Sequence, residues 1–150
     1  MAIRLETSKR QGIANHQDTE ISAYCRNWAR DLPKAHPKAI QRTPLSPTYN
    51  CHGLTFANRR TRIENTAEIH KIVDDDQYHE VPLPNVLPGD VAIYYAEDGD
   101  ANHSGLVVDV PDTLGPIICS KWGAAGEYVH ALRDCPKMYG PVIKFYRCRL

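Results

Sequence analysis

Residues 87–110 read LPGDVAIYYAEDGDANHSGLVVDV, and this stretch decides the fold. Two runs rich in β-branched and aromatic residues, Asp90 to Tyr95 and His103 to Val110, flank the turn-forming sequence Glu97-Asp98-Gly99-Asp100. The pattern predicts two antiparallel strands joined as a hairpin. A histidine opens the second strand.

Three further runs of the same kind follow the hairpin. They span Pro116 to Lys121, Gly126 to Ala131 and Pro141 to Cys148, and turn residues separate them. Helical patterns are confined to the first half of the chain. This segregation predicts the α+β class, with N-terminal helices packed on one face of a C-terminal antiparallel meander.

Hydrophobic periodicity predicts three helices upstream of the sheet. The first begins at Thr19, and we expect Pro33 to end it. Its apolar stripe is Ile21, Tyr24, Cys25, Trp28 and Leu32. A proline-rich, extended segment then leads to a second helix from Cys51 to about Arg62. The third runs from about Asn65 to Asp75.

Length and charge limit the function classes. A chain of 150 residues with 42% hydrophobic content suits one domain, predicted over residues 19–150, behind a flexible N-terminal segment, residues 1–18. Lysine plus arginine and aspartate plus glutamate number 18 each, without a basic patch, so no nucleic-acid partner is expected. No apolar stretch approaches the roughly 20 residues that span a bilayer, so no membrane partner is expected, and the N-terminus lacks the apolar core of a signal peptide.

The five cysteines are odd in number and form no CxxC pair, so neither a disulfide framework nor a zinc site is predicted. The histidines lack paired ligand spacing, and neither a metal nor another cofactor is expected. Cys51 differs from the other cysteines because it begins a helix. The positive field at a helix N-terminus is expected to lower its pKa and favour the thiolate.

A nucleophilic cysteine needs a base and an oxyanion hole. His103, 52 residues after Cys51, is the predicted base. The backbone N–H of Cys51 has no intrahelical acceptor and is the predicted oxyanion donor, with the Tyr49 hydroxyl as a second donor. His52 is expected to be a capping or surface residue, because it points about 100° away from Cys51 on a helix.

A third group should orient the imidazole of His103. Counting residues along the next hairpin puts positions 121–123 opposite His103, and Ser120 is the nearby side chain able to accept a hydrogen bond. We therefore predict Ser120 as the orienting residue. Glu127, His130, a backbone carbonyl and a water molecule remain alternatives.

These motifs resemble those of the NlpC/P60 cysteine peptidases, a papain-like family to which the CHAP amidases are related. Asn50-Cys51-His52-Gly53 is similar to their Asp-Cys-Ser-Gly signature. Pro88-Gly89-Asp90 and His103-Ser104-Gly105 are similar to their Pro-Gly-Asp and His-Val-Gly strands. The resemblance covers roughly residues 47–123. Asn50 and His52 depart from the signature, and no histidine occupies the third catalytic position.

The resemblance implies a papain-like core in which Cys51 is the nucleophile and His103 the base. It also implies a thiol hydrolase that cleaves peptide or amide bonds, with bacterial peptidoglycan stem peptides as the expected substrate. An export machine and an inhibitor protein are further candidate partners. Without a signal peptide, such an enzyme would act on wall fragments inside the cell, escape by lysis or leave by a non-Sec route.

Two other functions fit the same sequence. The first is acyl transfer to, or deamidation of, a protein substrate by the same cysteine. The second is a catalytically silent binding module, in which Cys51 is a buried thiol and the sheet presents aromatic side chains to a partner.

Overall fold

A seven-stranded antiparallel sheet forms the centre of the molecule. The computed structural model describes residues 1–149. Its strands are β1 (Ile40–Gln41), β2 (Tyr78–Val81), β3 (Val91–Tyr95), β4 (Ala101–Asp109), β5 (Ile117–Lys121), β6 (Glu127–Ala131) and β7 (Val142–Cys148). Their spatial order is β1-β6-β5-β4-β3-β7-β2. Strands β3 to β6 form a meander, and β7 pairs with the free side of β3. The predicted α+β class is confirmed.

Three α-helices precede most of the sheet: α1 (Ala23–Ala35), α2 (Cys51–Phe56) and α3 (Thr66–Asp75). The prediction that Pro33 ends α1 is wrong, because the helix continues through it to Ala35. Helix α2 is about half the predicted length, since Asn58 and Arg59 adopt left-handed φ angles of 51° and 64° that break the helix. No helix within residues 1–149 has the length and apolar character needed to cross a membrane.

Helices cover both faces of the sheet, whereas the sequence predicted one. Leu32 of α1 packs with Tyr94 in one apolar cluster. Ile69 of α3 packs with Ile93 in a second cluster. Because successive side chains of a strand point to opposite faces, Ile93 and Tyr94 lie on different sides of β3. The sheet is therefore the middle layer between α1 and the pair α2 and α3.

The N-terminal segment is packed against α3 and is not the loose tether expected for residues 1–18. Ile13 is only 5% exposed and belongs to the cluster around Ile69. The Thr7 hydroxyl donates to Asp75 at 2.6 Å. Hydrophobic periodicity cannot reveal these contacts, because isolated side chains make them and leave no repeating pattern in the sequence.

The Pro88-Gly89-Asp90 motif has a structural role at the start of β3. The buried Asp90 carboxylate accepts hydrogen bonds from the Leu87 N–H at 2.8 Å and from Arg147 of β7 at 2.7 and 2.8 Å. Burial raises the pKa of Asp90, but the hydrogen bonds from Arg147 and Leu87 outweigh burial and lower it. This carboxylate ties the start of the β3–β4 hairpin to β7.

Asn50 and Gly53 dock α2 onto the following loop. The Asn50 side-chain oxygen accepts from the N–H groups of Gly53 at 2.9 Å and Ile63 at 3.1 Å. Its amide nitrogen donates to the Ile63 carbonyl at 2.9 Å. A Cβ added at Gly53 would overlap the Thr61 carbonyl, so only glycine allows the loop to approach so closely.

We predict that Gly53→Ala destabilises the protein by about 1–3 kcal/mol, because the loop must move away from α2. Gly12→Ala is the matched control, since a Cβ there meets no atom within 4 Å, and its effect should stay within about 0.5 kcal/mol. Urea unfolding of both variants measures the difference. Equal stabilities of the two variants would contradict the tight approach.

Candidate active site

Cys51 opens into a cleft of about 470 Å³. Aromatic and polar side chains both line it. The aromatic ones are Tyr24, Trp28 and Tyr139, and the polar ones include Arg62, Glu64, Thr66 and Asn102. Cys51 is the first residue of α2, and Asn50 caps that helix through Gly53. A nucleophile at this position can meet a substrate of mixed polarity.

The Cys51 thiol is only 7% exposed. Burial raises its pKa to about 11, although hydrogen bonds from the backbone of Ser104, His52 and Cys51 itself favour the thiolate. The sequence predicted a lowered pKa, and that direction is wrong for this structure. The backbone N–H groups at the start of the short helix α2 favour the thiolate, but removal of water from the sulfur has the larger effect on the pKa of Cys51. Cys51 is therefore a thiol at rest.

His103 lies on β4 and is fully buried, with 0% exposure. Its ring stacks on Tyr139 with centroids 3.7 Å apart and an interplanar angle of 3°. Tyr94, opposite it on β3, meets the ring edge-on at 5.2 Å. Neither ring nitrogen has a hydrogen-bond partner within residues 1–149. Burial, then the nearby His130 and His52, hold the pKa of His103 well below its usual value, so the ring is neutral.

Tyr139 and Ser104 connect Cys51 with His103. Tyr139 lines the cleft beside Cys51 and stacks on His103. The backbone of Ser104, the residue after His103, hydrogen-bonds the Cys51 sulfur and lowers its pKa. The fold thus brings Cys51 to the His103 segment of β4. The two side chains form no direct hydrogen bond in this resting structure.

Ser120 does not contact the nitrogens of His103. Its hydroxyl lies 2.7 Å from Nε2 of His130 and accepts from the Trp122 N–H at 3.1 Å. His130 Nδ1 donates to the Ala131 carbonyl at 2.7 Å, which leaves Nε2 to accept from Ser120. The β4–β5 register pairs Leu106 with Cys119, and its continuation toward His103 brings Trp122 opposite it, as the hairpin count expected. The count was sound, but the Ser120 hydroxyl has other partners.

Tyr49 and Glu127 are also engaged elsewhere. The Tyr49 hydroxyl donates to the Glu127 carboxylate, which also binds Arg59 at 2.7 and 3.0 Å. Burial raises the pKa of Tyr49 to about 12, and the hydrogen bond with Glu127 adds to that rise. The predicted role of Tyr49 as an oxyanion donor is therefore not supported. Glu127 is likewise unavailable to orient His103.

His52 is a buried structural residue, not the surface residue that was expected. Its Nε2 donates to the Ala101 carbonyl at 2.8 Å, and its Nδ1 lies 2.7 Å from the Ser104 hydroxyl. Burial lowers its pKa to about 4. His52 therefore fastens α2 to β4 while Cys51 faces the cleft.

Two residues near the candidate site were not singled out from the sequence. Tyr139 comes from a short 3-10 turn before β7, and its contact with His103 has no local sequence signal. Lys121 carries only hydrogen-bond donors and so did not qualify as the residue that orients His103. The available signal was a lysine at the end of an otherwise apolar strand sequence.

One exposed group of side chains has metal-ligand chemistry. His16, Asp18 and Glu64 bring ligand atoms within 4.8 Å of one another. Arg62 already pairs with both carboxylates, at 2.9 Å from Glu64 and 3.6 Å from Asp18. Its charge competes with a cation, so this group carries no argument for a metal.

We predict that the free energy of unfolding falls as the pH drops below about 6.5, the ordinary pKa of histidine. His103 stays neutral when folded but binds a proton when unfolded, so the unfolded state gains protons and stability is lost in acid. His103→Gln should flatten the slope between about pH 5.5 and 4.5 by up to about 1.4 kcal/mol per pH unit. Val108→Thr, on the same strand, is the control and should keep the wild-type slope in urea titrations. A wild-type slope in His103→Gln would show that the folded histidine also takes up the proton.

Comparisons of this chain with protein-family models, with curated proteins and with solved structures each find no match.

Proposed function

We propose that this protein is a papain-like thiol hydrolase of the NlpC/P60 type, in which Cys51 attacks an amide carbonyl and His103 transfers the proton. One observation carries the proposal: both nitrogens of the buried His103 lack partners, and the ring on which it stacks, Tyr139, lines the cleft that holds Cys51. An unpaired buried polar group costs roughly 1–3 kcal/mol, and a catalytic role explains why it is kept. The order of a cysteine helix followed by a histidine strand gives further support.

The reaction begins from two neutral groups. His103 removes the proton from Cys51 as the sulfur attacks the carbonyl carbon, since burial disfavours a resting ion pair. The N–H of Cys51, the first helical residue, stabilises the oxyanion. The C–N bond then breaks, and the imidazolium of His103 returns the proton to the leaving amine. Water, deprotonated by His103, hydrolyses the thioester and restores the thiol.

The proposed substrate is a peptide or amide, with peptidoglycan stem peptides as the first class to test. The cleft supports this choice because Trp28 and Tyr139 can contact an aliphatic chain. Arg62 and Glu64, which also line the cleft, offer both charges to a peptide that carries amines and carboxylates.

We predict that the wild-type protein releases peptide fragments from purified peptidoglycan and that Cys51→Ala lowers the rate by at least about a thousandfold. His103→Gln should lose about a hundredfold or more, because general-base assistance is removed. Mass spectrometry of the released fragments measures both effects. Cys25→Ala is the control, since Cys25 lies on α1 and is not a lining residue of the cleft. Undiminished cleavage by Cys51→Ala would refute the nucleophile.

The same measurement separates the other two functions. Transfer or deamidation would leave peptidoglycan intact and change the mass of a protein substrate in a Cys51-dependent way. A silent module would show no turnover, and folded Cys51 would resist alkylation.

We also propose that Tyr139, rather than Ser120, orients His103. Tyr139→Leu should lower kcat about tenfold or more through loss of the stack, while Tyr139→Phe should keep most activity. Ser120→Ala should keep kcat near wild type but destabilise the fold by about 1–3 kcal/mol, because His130 and Trp122 lose a partner. Steady-state kinetics beside urea unfolding distinguishes the two effects. A larger kcat loss in Ser120→Ala than in Tyr139→Leu would restore Ser120 to the orienting role.

A further inference from the structure

Lys121, the last residue of β5, is fully buried, with 0% exposure. Its ammonium donates to three backbone carbonyls, those of Ser46 at 2.8 Å, Tyr49 at 3.0 Å and Gly123 at 2.7 Å. It also lies 4.6 Å from the centre of the Tyr49 ring. All three of its hydrogens are used, and every acceptor is neutral.

No carboxylate contacts this charge directly. Within residues 1–149, Lys121 forms no ion pair. Glu127 is its partner across the β5–β6 register and favours the ammonium by its charge, but that carboxylate makes its hydrogen bonds with Arg59 and Tyr49. A buried cation without a directly paired anion is costly, and backbone carbonyls compensate only part of its lost hydration.

The position of Lys121 relates it to Cys51. Two of its acceptors, Ser46 and Tyr49, belong to the segment that leads into α2, so the ammonium fixes the backbone immediately before the nucleophile. Attraction to Glu127, and then to the Cys51 sulfur, raises the pKa of Lys121. Interaction energies are reciprocal, so Lys121 favours the thiolate of Cys51, as the nearby Arg62 also does.

We propose that Lys121 is a positioning residue that holds the segment before Cys51 and supplies the positive charge facing the Cys51 thiolate as it forms. This role rests on the proposed thiol chemistry and deepens it. The thiolate, which is present only during the reaction, adds a second anion to that of Glu127 in the surroundings of Lys121. The thiol is neutral at rest, and the buried cation is held against the backbone two residues before it.

The groups around Lys121 determine its pKa. Burial, and then repulsion from Arg62, lower its pKa to about 8, while Glu127 and Cys51 raise it. Tyr49 contributes its carbonyl and ring face. Lys121 is therefore mostly charged at pH 7 and loses its proton just above that.

The test is the pH dependence of Cys51 alkylation by iodoacetamide in the full-length protein, with the tryptic peptide 43–59 quantified by mass spectrometry. That peptide contains Cys51 as its only cysteine. In the wild type the rate should rise about tenfold per pH unit below about pH 8 and then level off. Above that pH, the charged pair and the neutral pair of Lys121 and Cys51 hold the same number of protons, so the fraction in the charged pair stays constant and only the thiolate beside neutral Lys121 keeps increasing.

Lys121→Gln separates charge from hydrogen bonding, because the amide can still donate to carbonyls. Its alkylation rate at pH 7 should fall about tenfold or more, and the break in the profile should vanish. Lys121→Arg keeps the cation and should stay closer to the wild-type rate, also without the break. Lys38→Gln, at an exposed lysine, is the control and should match the wild type.

A Lys121→Gln profile that superimposes on the wild type would overturn the role of Lys121 while the thiol chemistry of Cys51 stands. Wild-type Cys51 that resists alkylation, or Cys51→Ala that still cleaves substrate, would instead overturn the proposed function. If Lys121→Gln fails to fold, the wild-type profile decides alone, because a rate that rises tenfold per pH unit without a break through pH 9 contradicts the coupling.

Discussion

The hydrogen bonds of Asn50 are the constraint on which the rest of the site depends. The side chain closes the first turn of α2 through Gly53 and joins that turn to both backbone groups of Ile63. These contacts determine where the helix begins, and so where Cys51 lies in the cleft. An aspartate could accept the same two N–H groups but could not donate to the Ile63 carbonyl. Asn50 is therefore suited to a helix start that is hydrogen-bonded both to its own first turn and to the loop at Ile63. Gly53, which has no Cβ, lets that loop approach the helix.

Burial explains both the stability of this site and its chemistry. The packing that excludes water from Cys51 and His103 also makes the charged form of each unfavourable, so the pKa of the thiol is raised and that of the imidazole lowered. A preformed thiolate–imidazolium pair would need a field strong enough to overcome both penalties, and the short helix α2 does not supply it. The proposed hydrolase therefore needs charge stabilisation that acts during the reaction. The Ser104 backbone, the Cys51 N–H and the buried Lys121 can supply it.

Local patterns predicted the parts of the fold that local chemistry determines. The hairpin around residues 87–110, the start of α2 at Cys51 and the position of His103 on a strand all follow from turn residues and strand periodicity. The end of α2 did not, because the left-handed angles at Asn58 and Arg59 have no local sequence signal, and Arg59 pairs with Glu127 of a distant strand. Ser120 was assigned by register and by its ability to accept a hydrogen bond. Register fixes which backbone positions are opposite one another, but the partner of a hydroxyl depends on which neighbour has a free lone pair, and that neighbour was His130.

In the proposed reaction, the two positive charges that act on Cys51, those of His103 and Lys121, belong to opposite faces of the sheet. Successive strand residues alternate, so Lys121 and Trp122 point to opposite faces. Trp122 belongs to the cluster that contains Tyr94 and Tyr139, the rings around His103. The proposed proton acceptor, His103, is thus on the α1 face, and the buried cation is on the α2 face. Proton transfer to His103 would leave the thiolate with an imidazolium on one side and an ammonium on the other. Two cations on different layers compensate the desolvation of one anion better than either does alone, and their separation limits the repulsion between them.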